Sequence, residues 1–463
     1  MFLCGGVPVK LALPPGIFNP NRPFQPSRSR IFYGWIIAFA GTVGIICSIP
    51  GQTMGVSVFT DRLIDSLEVK RTWISFAYLV GTIISGFLVS PMGRWLDRHG
   101  LRHGAVISGF GIGAALIFLS QVDRIAAGIS SIFPTTWELG FKVLAVTIGF
   151  FLLRFFGQGL MTLASRNMIA KWFDEFRGRV TAISGIAASF AFSVTPLFFD
   201  WLIVGIGWRM TWLSLALFCG LFFALFAWLF FRDNPEECGL LMDGGVKPKE
   251  GRRINQDNRV VRQFTKSEAI RTYGFWIYNL ALSFQGFFIT GYTFHILSIA
   301  DDLDLTREAV LGAFFPGAVL AIFISLLVGW LIDRTRLKYG LVVFCVGVTL
   351  IPSGLLLAPH SYSIWVLIAG LGLAGGSFAP VIGTVWARFF GRRELGAISG
   401  LNMSSLVIGS ALGPIVFSLS YDHLGGYRPA IVLGVVCGVL LIFGSLFAGN
   451  PQRKLQIEEG NDV

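Results

Sequence analysis

The sequence predicts an all-α integral membrane protein with twelve transmembrane helices. Of its 463 residues, 54% are apolar and 14% are charged, and the mean hydropathy is +0.69; a soluble domain carries roughly 25% charged residues. Apolar blocks of about 18 residues or more, long enough to cross a hydrocarbon core about 30 Å thick, recur along the chain. They are continuous, whereas a transmembrane β-barrel shows alternating segments of about ten residues, so the blocks predict helices.

Each predicted span is an apolar run between charged or Gly/Pro-rich breaks. The first six runs lie near residues 33 to 60, 72 to 92, 104 to 121, 142 to 168, 179 to 199 and 208 to 231. After a polar segment, six more lie near residues 273 to 298, 307 to 332, 339 to 358, 363 to 389, 394 to 420 and 427 to 449. The hydropathy pattern therefore gives twelve spans in two groups of six.

The cations indicate the orientation in the membrane. The chain has 37 Lys and Arg against 26 Asp and Glu, a formal charge of +11. The two tails and the even-numbered loops hold 28 of these cations, and the odd-numbered loops hold 7. Because cationic segments translocate poorly, we expect both termini to be cytoplasmic and the protein to be multi-pass in the cell (inner) membrane. Topology thus explains the charge without a nucleic-acid partner.

The two groups of spans are related in sequence. Three pairs of segments match: Tyr33–Trp35 with Tyr273–Phe275, Gly93–Arg98 with Gly329–Arg334, and Ala182–Gly185 with Ala397–Gly400. Their separations are 240, 236 and 215 residues, which places an insertion of about 21 residues in the external loop 122–140. A duplicated six-span unit in one orientation is typical of a parallel-repeat transporter, in which substrate binds between the halves near mid-membrane.

The predicted organisation follows from this repeat. It comprises a flexible cytoplasmic tail (1–30), an N-terminal six-helix bundle (31–231), a cytoplasmic linker (232–271), a C-terminal six-helix bundle (272–450) and a cytoplasmic tail (451–463). The sequence contains no Walker-type glycine loop, nucleophile elbow or HExxH, and its six cysteines form no CxxC pair. We therefore predict no enzyme activity, no metal, no cofactor and no ATP-driven pumping, and we expect a monomer.

Two motifs resemble the major facilitator superfamily. The loop Gly93–Arg102 is similar to the signature between spans two and three of that family, and Arg154–Gly159 to its fourth-span Arg motif. Arg232–Leu240, after span six, is similar to a segment in bacterial monocarboxylate-porter-like, oxalate/formate and organophosphate branches. The resemblance extends over residues 32–447 and implies a secondary transporter, with organic anions as the substrate class. Residues 310–330 and 395–420, however, lack the cations that some of these branches use.

The resemblance also implies a conformational latch on the cytoplasmic face. In the family, carboxylates at these positions accept hydrogen bonds from cations and from the positive end of a helix in the other half, so they set the balance between inward and outward states. The alternative is a simple topology anchor. The residues assigned to the latch are Gly93, Arg94, Asp97, Arg98, Arg102, Asp333 and Arg334.

Arg154 is the predicted anchor for an anionic substrate. It lies 12 residues from Lys142, and so about 18 Å into the fourth span. A guanidinium at that depth costs at least about 2.5 kcal/mol and needs a partner or a water-filled cavity. The alternative is an Arg that donates hydrogen bonds to backbone carbonyls of a neighbouring helix. Gln158, one turn further on, shares its helix face.

A polar stripe on span seven supplies further substrate-binding candidates. Tyr278, Gln285 and Tyr292 recur every seven residues and so share one face of the helix. Such a stripe faces either a water-filled cavity or polar partners on other helices. The internal repeat aligns Tyr292 with Gln52 of span one. The remaining candidates in the same set are Thr162 and Asn402.

His295 is the candidate for proton coupling, because it lies inside a predicted span and His titrates near physiological pH. A packing role is the alternative. We therefore predict a secondary carrier that moves a small organic anion, such as a monocarboxylate, by alternating access with protons. One alternative is an exporter of an amphipathic or drug-like compound, favoured by 44 phenylalanines. Another, of a different class, is a membrane sensor that does not transport.

Overall fold

The computed structural model describes residues 16–245, 260–360 and 362–453, and every regular element in these ranges is a helix. Within these described ranges, eleven helices are long and apolar enough to cross a membrane, and a bent pair of helices, counted as one span, gives twelve. The fold prediction is confirmed. The spans are α1 (Tyr33–Gly51), α2 (Arg71–His99), α3 (Leu101–Ser120), α4 (Glu138–Trp172), α5 (Arg177–Ile206), α6 (Trp208–Phe230), α7 (Tyr273–Phe294, continued after a 73° bend by Ile296–Asp302), α8 (Arg307–Arg334), α9 (Leu337–Leu356), α10 (Ser363–Phe390), α11 (Leu395–Leu424) and α12 (Arg428–Leu446).

Helices α1–α6 and α7–α12 form two halves, each with its own hydrophobic core. Twelve crossings bring both described chain ends, residues 16 and 453, to the same side of the membrane. We call this side the basic face, because it also carries the cation-rich loops after α2, α4, α8 and α10. The other side is called the opposite face.

The first span ends earlier than its apolar run. The sequence predicts a span to residue 60, but α1 ends at Gly51 and two short helices follow, Thr53–Ser57 and Thr60–Leu67. Pro50 has no amide hydrogen and so interrupts the ladder of helical hydrogen bonds. Gly51 packs so closely on α4 that a Cβ atom there would lie 2.8 Å from Cα of Gly157. The break therefore brings α1 and α4 into backbone contact.

Two buried arginines hold the segment before α1 against the basic face. The guanidinium of Arg102 donates to the carbonyls of Asn19 (3.1 Å) and Arg22 (2.9 Å). Arg232 donates to the carbonyls of Pro20 (2.5 Å) and Arg22 (3.0 Å). These contacts involve residues 16–30 of the tail that the sequence predicts to be flexible; residues 1–15 lie outside the described chain.

Candidate functional site

A cavity of about 500 Å³ lies between the two halves. It is bordered by α1, α4 and α5 on one side and by α7, α8, α10 and α11 on the other, which is the position that a parallel-repeat transporter requires for its substrate. Most of its wall is apolar and includes Ile45, Phe192, Ile289, Phe314, Phe378 and Met403.

Four of the predicted substrate-binding residues line this cavity: Gln52, Gln158, Thr162 and Gln285. The amide of Gln52 donates to the hydroxyls of Ser48 (3.2 Å) and Thr162 (3.4 Å). The Oε1 atoms of Gln158 and Gln285 are buried and accept no hydrogen bond from the described residues. A buried acceptor without a partner is costly, so both oxygens are available for donors on a bound molecule or for water.

Arg166 also lines the cavity and was missed from the sequence. It is the only charged side chain among the described lining residues, and its guanidinium lies 5.5 Å from the ring centre of Phe378 in the other half. It lies near the end of the predicted fourth span, six residues before the end of α4, and was not among the predicted substrate-binding residues. The available signal was the spacing of four residues from Gln158 to Thr162 to Arg166, which puts all three on one helix face.

Arg154 lies near the centre of α4 but does not line the cavity. It is 1% exposed, and its Nη1 donates to the carbonyl of Gly51 (3.2 Å) and to the hydroxyl of Thr53 (3.4 Å). Its guanidinium lies 5.1 Å from the ring centre of Tyr78. These contacts correspond to the alternative considered for this residue, since Arg154 satisfies the carbonyl freed by the break in α1. Residues Arg154–Met161 are π-helical, which widens α4 at this contact.

The other three predicted substrate-binding residues lie outside the cavity lining. Tyr292 is fully buried and its ring stacks on Phe314 at 6.1 Å. Tyr278 is fully buried and contacts Phe389 edge to face, with ring centres 5.3 Å apart. The amide of Asn402 donates to Asn279 at 3.0 Å. Thus only Gln285 of the predicted stripe on α7 lines the cavity.

His295 lies at the bend that follows α7, outside the cavity lining. Its Nε2 is 3.0 Å from the carbonyl oxygen of Pro414 and 3.2 Å from the hydroxyl of Ser418. Its Nδ1 is 3.3 Å from the hydroxyl of Tyr427. The imidazole thus joins the bend in α7 to α11 and to the start of α12, so protonation of the ring would alter contacts at this bend rather than in the cavity.

Asp97 joins α2 to the start of α11 on the basic face. Its carboxylate accepts hydrogen bonds from the backbone N–H groups of Gly396 and Ala397, both at 2.7 Å. These are the second and third residues of α11, so a carboxylate from one half caps a helix of the other. Gly93 permits this contact, because a Cβ there would lie 1.9 Å from the carbonyl oxygen of Gly396.

Asp333 makes the equivalent contact between α8 and α5. Its carboxylate accepts from the N–H groups of Gly178 (2.8 Å) and Arg179 (3.1 Å), the second and third residues of α5, and from Nε of Arg179 (3.0 Å). A Cβ on Gly178 would lie 2.5 Å from the carbonyl oxygen of Gly329. The internal repeat thus produces two matching caps that hold the halves together.

The other residues assigned to the latch do not join the halves in the same way. Arg102 holds the segment before α1, as described above. Arg94 and Arg98 are exposed. Arg334 is exposed, with its guanidinium 4.5 Å from the ring centre of Trp330 on the same helix.

The two caps close the cavity towards the basic face. Between them and the cavity, the hydroxyl of Ser399 donates to Asn167 at 3.0 Å, and that of Ser325 donates to the carbonyl of Ala182 at 3.4 Å. Both hydrogen bonds join the halves. The caps and these hydrogen bonds thus join the two halves on the basic-face side of the cavity.

One transporter family has this architecture, which combines twelve spans in two halves, a central cavity and helix caps that each half supplies to the other. The profile of the Major Facilitator Superfamily matches residues 31–371 and 339–462. The chain belongs to the Major Facilitator Superfamily. Members of this family are multi-pass membrane transporters rather than enzymes, and the superfamily fold accounts for the repeat found in the sequence.

Solved structures of several transporters share the fold at low sequence identity. The proton:xylose symporter XylE bound to 6-bromo-6-deoxy-D-glucose is 16% identical, with a TM-score of 0.64 over 90% of this chain and 96% of that one. A bacterial homologue of the iron transporter ferroportin, in an outward-facing state, is 13% identical, with a TM-score of 0.63 over 89% and 99%. The human organic anion transporter MFSD10 (TETRAN) is 16% identical, with a TM-score of 0.58 over 89% and 99%. A search of curated proteins finds no match.

Proposed function

We propose that this superfamily member is a secondary transporter of small organic anions and that Arg166 anchors the anion. The observation that carries the proposal is the single positive charge in the cavity. Among the described lining residues, Arg166 is cationic and none is Asp, Glu or His. A guanidinium facing a largely apolar cavity attracts an anion, and its planar donors match a carboxylate in a bidentate arrangement.

The rest of the lining favours a monocarboxylate with an apolar body. One cation neutralises one negative charge, whereas a dianion would leave a buried charge without a partner. Ile289, Phe314 and Phe378 offer apolar contact. The unpaired amide oxygens of Gln158 and Gln285 suit a ligand that also carries a hydroxyl or an N–H group. We also propose that the protein lies in the cell membrane with both termini cytoplasmic and that it acts as a monomer.

Thermal stability of the purified protein against defined ligands tests this proposal. The panel comprises acetate, lactate, pyruvate, oxalate, glycerol phosphate, triethylamine and tetraphenylphosphonium. A ligand at 100 times its Kd adds about 2.7 kcal/mol to the stability. We expect a monocarboxylate to stabilise the wild type and to bind about 10- to 150-fold more weakly to Arg166→Gln, because a hydrogen bond to a charged group contributes about 1.5–3 kcal/mol.

Arg154→Gln is the matched control, since it removes the other arginine of α4 that lies deep in the span. This variant should lose stability but keep the response to the carboxylate. Loss of the response in Arg154→Gln with retention in Arg166→Gln would refute the assignment of the anchor. Stabilisation by triethylamine or tetraphenylphosphonium alone, independent of Arg166, would favour the alternative of an exporter of amphipathic or drug-like compounds.

The coupling mode has two candidates. Proton co-transport through His295 is the first, and it predicts that uptake into proteoliposomes requires a pH gradient and fails in His295→Gln. Exchange of one anion for another is the second, and the unneutralised charge of Arg166 favours it, because an empty occluded cavity would bury an unpaired cation. Exchange predicts uptake that depends on anion inside the vesicles and persists in His295→Gln.

A further inference from the structure

A second, smaller pocket lies at the basic face of the C-terminal half, away from the central cavity. Its volume is about 90 Å³, and it is formed where α9 begins and where the chain leaves α12. The residues that line it are Arg336, Leu337, Lys338, Phe389, Leu446, Phe447, Ala448, Gly449, Asn450 and Arg453. None of the residues that line this pocket takes part in the contacts between the halves described above.

The pocket concentrates positive charge. Arg336, Lys338 and Arg453 line it, and none of its described lining residues is acidic. Arg336 also precedes the first residue of α9, and its side chain does not cap that helix. The start of this 20-residue helix adds partial positive charge beside the same pocket, because the helix dipole has its positive end there. Three cationic side chains and a helix start thus converge on a space suited to a phosphate group.

The rim of the pocket is apolar and belongs to the membrane-facing surface. Phe447 is 76% exposed, and Leu446 and Tyr339 are each 47% exposed. Leu446 ends α12 and Leu337 begins α9, so the pocket lies at the level where membrane spans give way to polar loops. A soluble phosphate would bind the cations but leave this apolar rim uncovered, whereas the acyl chains of a lipid would cover it.

We propose that this pocket binds the phosphate headgroup of an anionic phospholipid, with the acyl chains lying along the exposed end of α12. Basic pockets between membrane helices recognise anionic headgroups through this combination of charge and depth. Arg336 and Lys338 supply charge, the start of α9 supplies backbone donors, and Phe447 supplies contact for the lipid chain. The site is separate from the proposed anion site at Arg166, so either proposal can fail without the other.

Native mass spectrometry of the full chain with added phosphatidylglycerol or phosphatidylcholine tests the site. We expect phosphatidylglycerol to bind more tightly than phosphatidylcholine, and Arg336→Gln/Lys338→Gln to weaken its binding about 30-fold, because each cation near an anionic lipid contributes roughly a factor of five. The matched control is Arg28→Gln/Arg30→Gln, which removes two exposed charges from the same face outside the pocket. The control should keep its affinity within about twofold.

Three results would overturn the proposal. The first is equal binding of phosphatidylglycerol and phosphatidylcholine, and the second is an equal loss of affinity in the control variant. The third is that inorganic phosphate stabilises the protein and that phosphatidylglycerol adds nothing to this stabilisation. The last result would identify a soluble oxyanion as the ligand. Because Nζ of Lys338 also donates to the carbonyl of Leu446 (3.3 Å), the single variant Arg336→Gln is measured alongside the pair. A loss of about fivefold in this variant supports the site even if the double variant is unstable.

Discussion

The cap that the carboxylate of Asp97 forms on α11 should stabilise the state in which the basic face is closed. The substitution Asp97→Asn keeps the size of the side chain and removes its charge. An amide can accept a hydrogen bond from one of the two N–H groups of Gly396 and Ala397, but it presents an NH₂ group to the other. The variant should therefore weaken the closed state and leave the state open at the basic face unaffected.

The size of the shift follows from the two hydrogen bonds. Both are 2.7 Å long, which is the range of charge-assisted hydrogen bonds. Loss of one such bond costs about 1.5–3 kcal/mol, and loss of a negative charge at a helix start costs up to about 2 kcal/mol in a partly buried setting. These contributions overlap, so we take about 2 kcal/mol as the combined effect. The ratio of closed to open states should then fall about 30-fold.

Spin labels at the opposite face measure this ratio. Gly205, near the end of α5, and Gly312, near the start of α8, belong to different halves, and a Cβ at either position meets no atom within 4 Å. Both are replaced by Cys in a chain without the six native cysteines. The distance distribution of the parent should show the long separation of an open opposite face. Asp97→Asn should add a shorter component as the opposite face closes.

Asp233→Asn is the matched control. The carboxylate of Asp233 caps the start of α3, accepting from the N–H groups of Leu101 and Arg102 (the latter at 2.9 Å), but both partners lie in the same half. This variant should lose stability without changing the distance distribution. The reasoning is refuted if Asp97→Asn leaves the distribution unchanged, or if Asp233→Asn shifts it to the same extent.

Three further predictions concern the same face. Gly93→Ala should shift the spin-label distances in the same direction as the Asp97 variant, because its Cβ would overlap the carbonyl oxygen of Gly396, whereas Gly140→Ala, whose Cβ would meet no atom within 4 Å, should have no effect. Arg102→Lys should lower the melting temperature by an amount equivalent to about 2 kcal/mol, because an ammonium cannot reproduce the fork that reaches several carbonyls; an unchanged melting temperature would contradict this. Glu236→Gln removes the partly exposed ion pair between Glu236 and Arg392. It should favour opening of the basic face by no more than about 1 kcal/mol, and the difference from wild type should disappear in 1 M salt.

The membrane spans could be predicted from the sequence because a helix in lipid must be long and apolar whatever it packs against. The predicted and observed ends differ by a few residues in most spans. Helices α2 and α5 continue seven residues beyond their predicted ends. The largest difference is at α1, where the apolar run continues through Pro50 and hydropathy cannot distinguish a continuous helix from a broken one. The caps were also expected, because the repeated motif that contains Asp97 and Asp333 resembles a family signature whose carboxylates accept hydrogen bonds from a helix start in the other half.

The cavity lining was less predictable, because periodicity identifies a helix face but not the neighbour that covers it. Tyr278, Gln285 and Tyr292 share a face of α7, yet the first and last are covered by other aromatic rings. Arg154 and Arg166 are both cations of α4, and Arg154 was predicted to be the anchor for the substrate because it lies deeper in the span. The break in α1 gives Arg154 a backbone partner, and only a three-dimensional structure reveals that partner.

The position of Arg166 would link binding of the proposed anion to closure of the basic face. A ligand shifts a conformational equilibrium only through contacts that differ between the two states. Arg166 already contacts Phe378 of the other half, and its neighbour Asn167 accepts the hydrogen bond from Ser399 that joins α4 to α11. An anion drawn to the guanidinium would therefore bind where the halves meet and would change contacts that hold the basic face closed. Ser399→Ala should reduce the transport rate or alter its dependence on substrate while leaving anion binding intact, and unchanged transport would show that binding at Arg166 is not transmitted through this hydrogen bond.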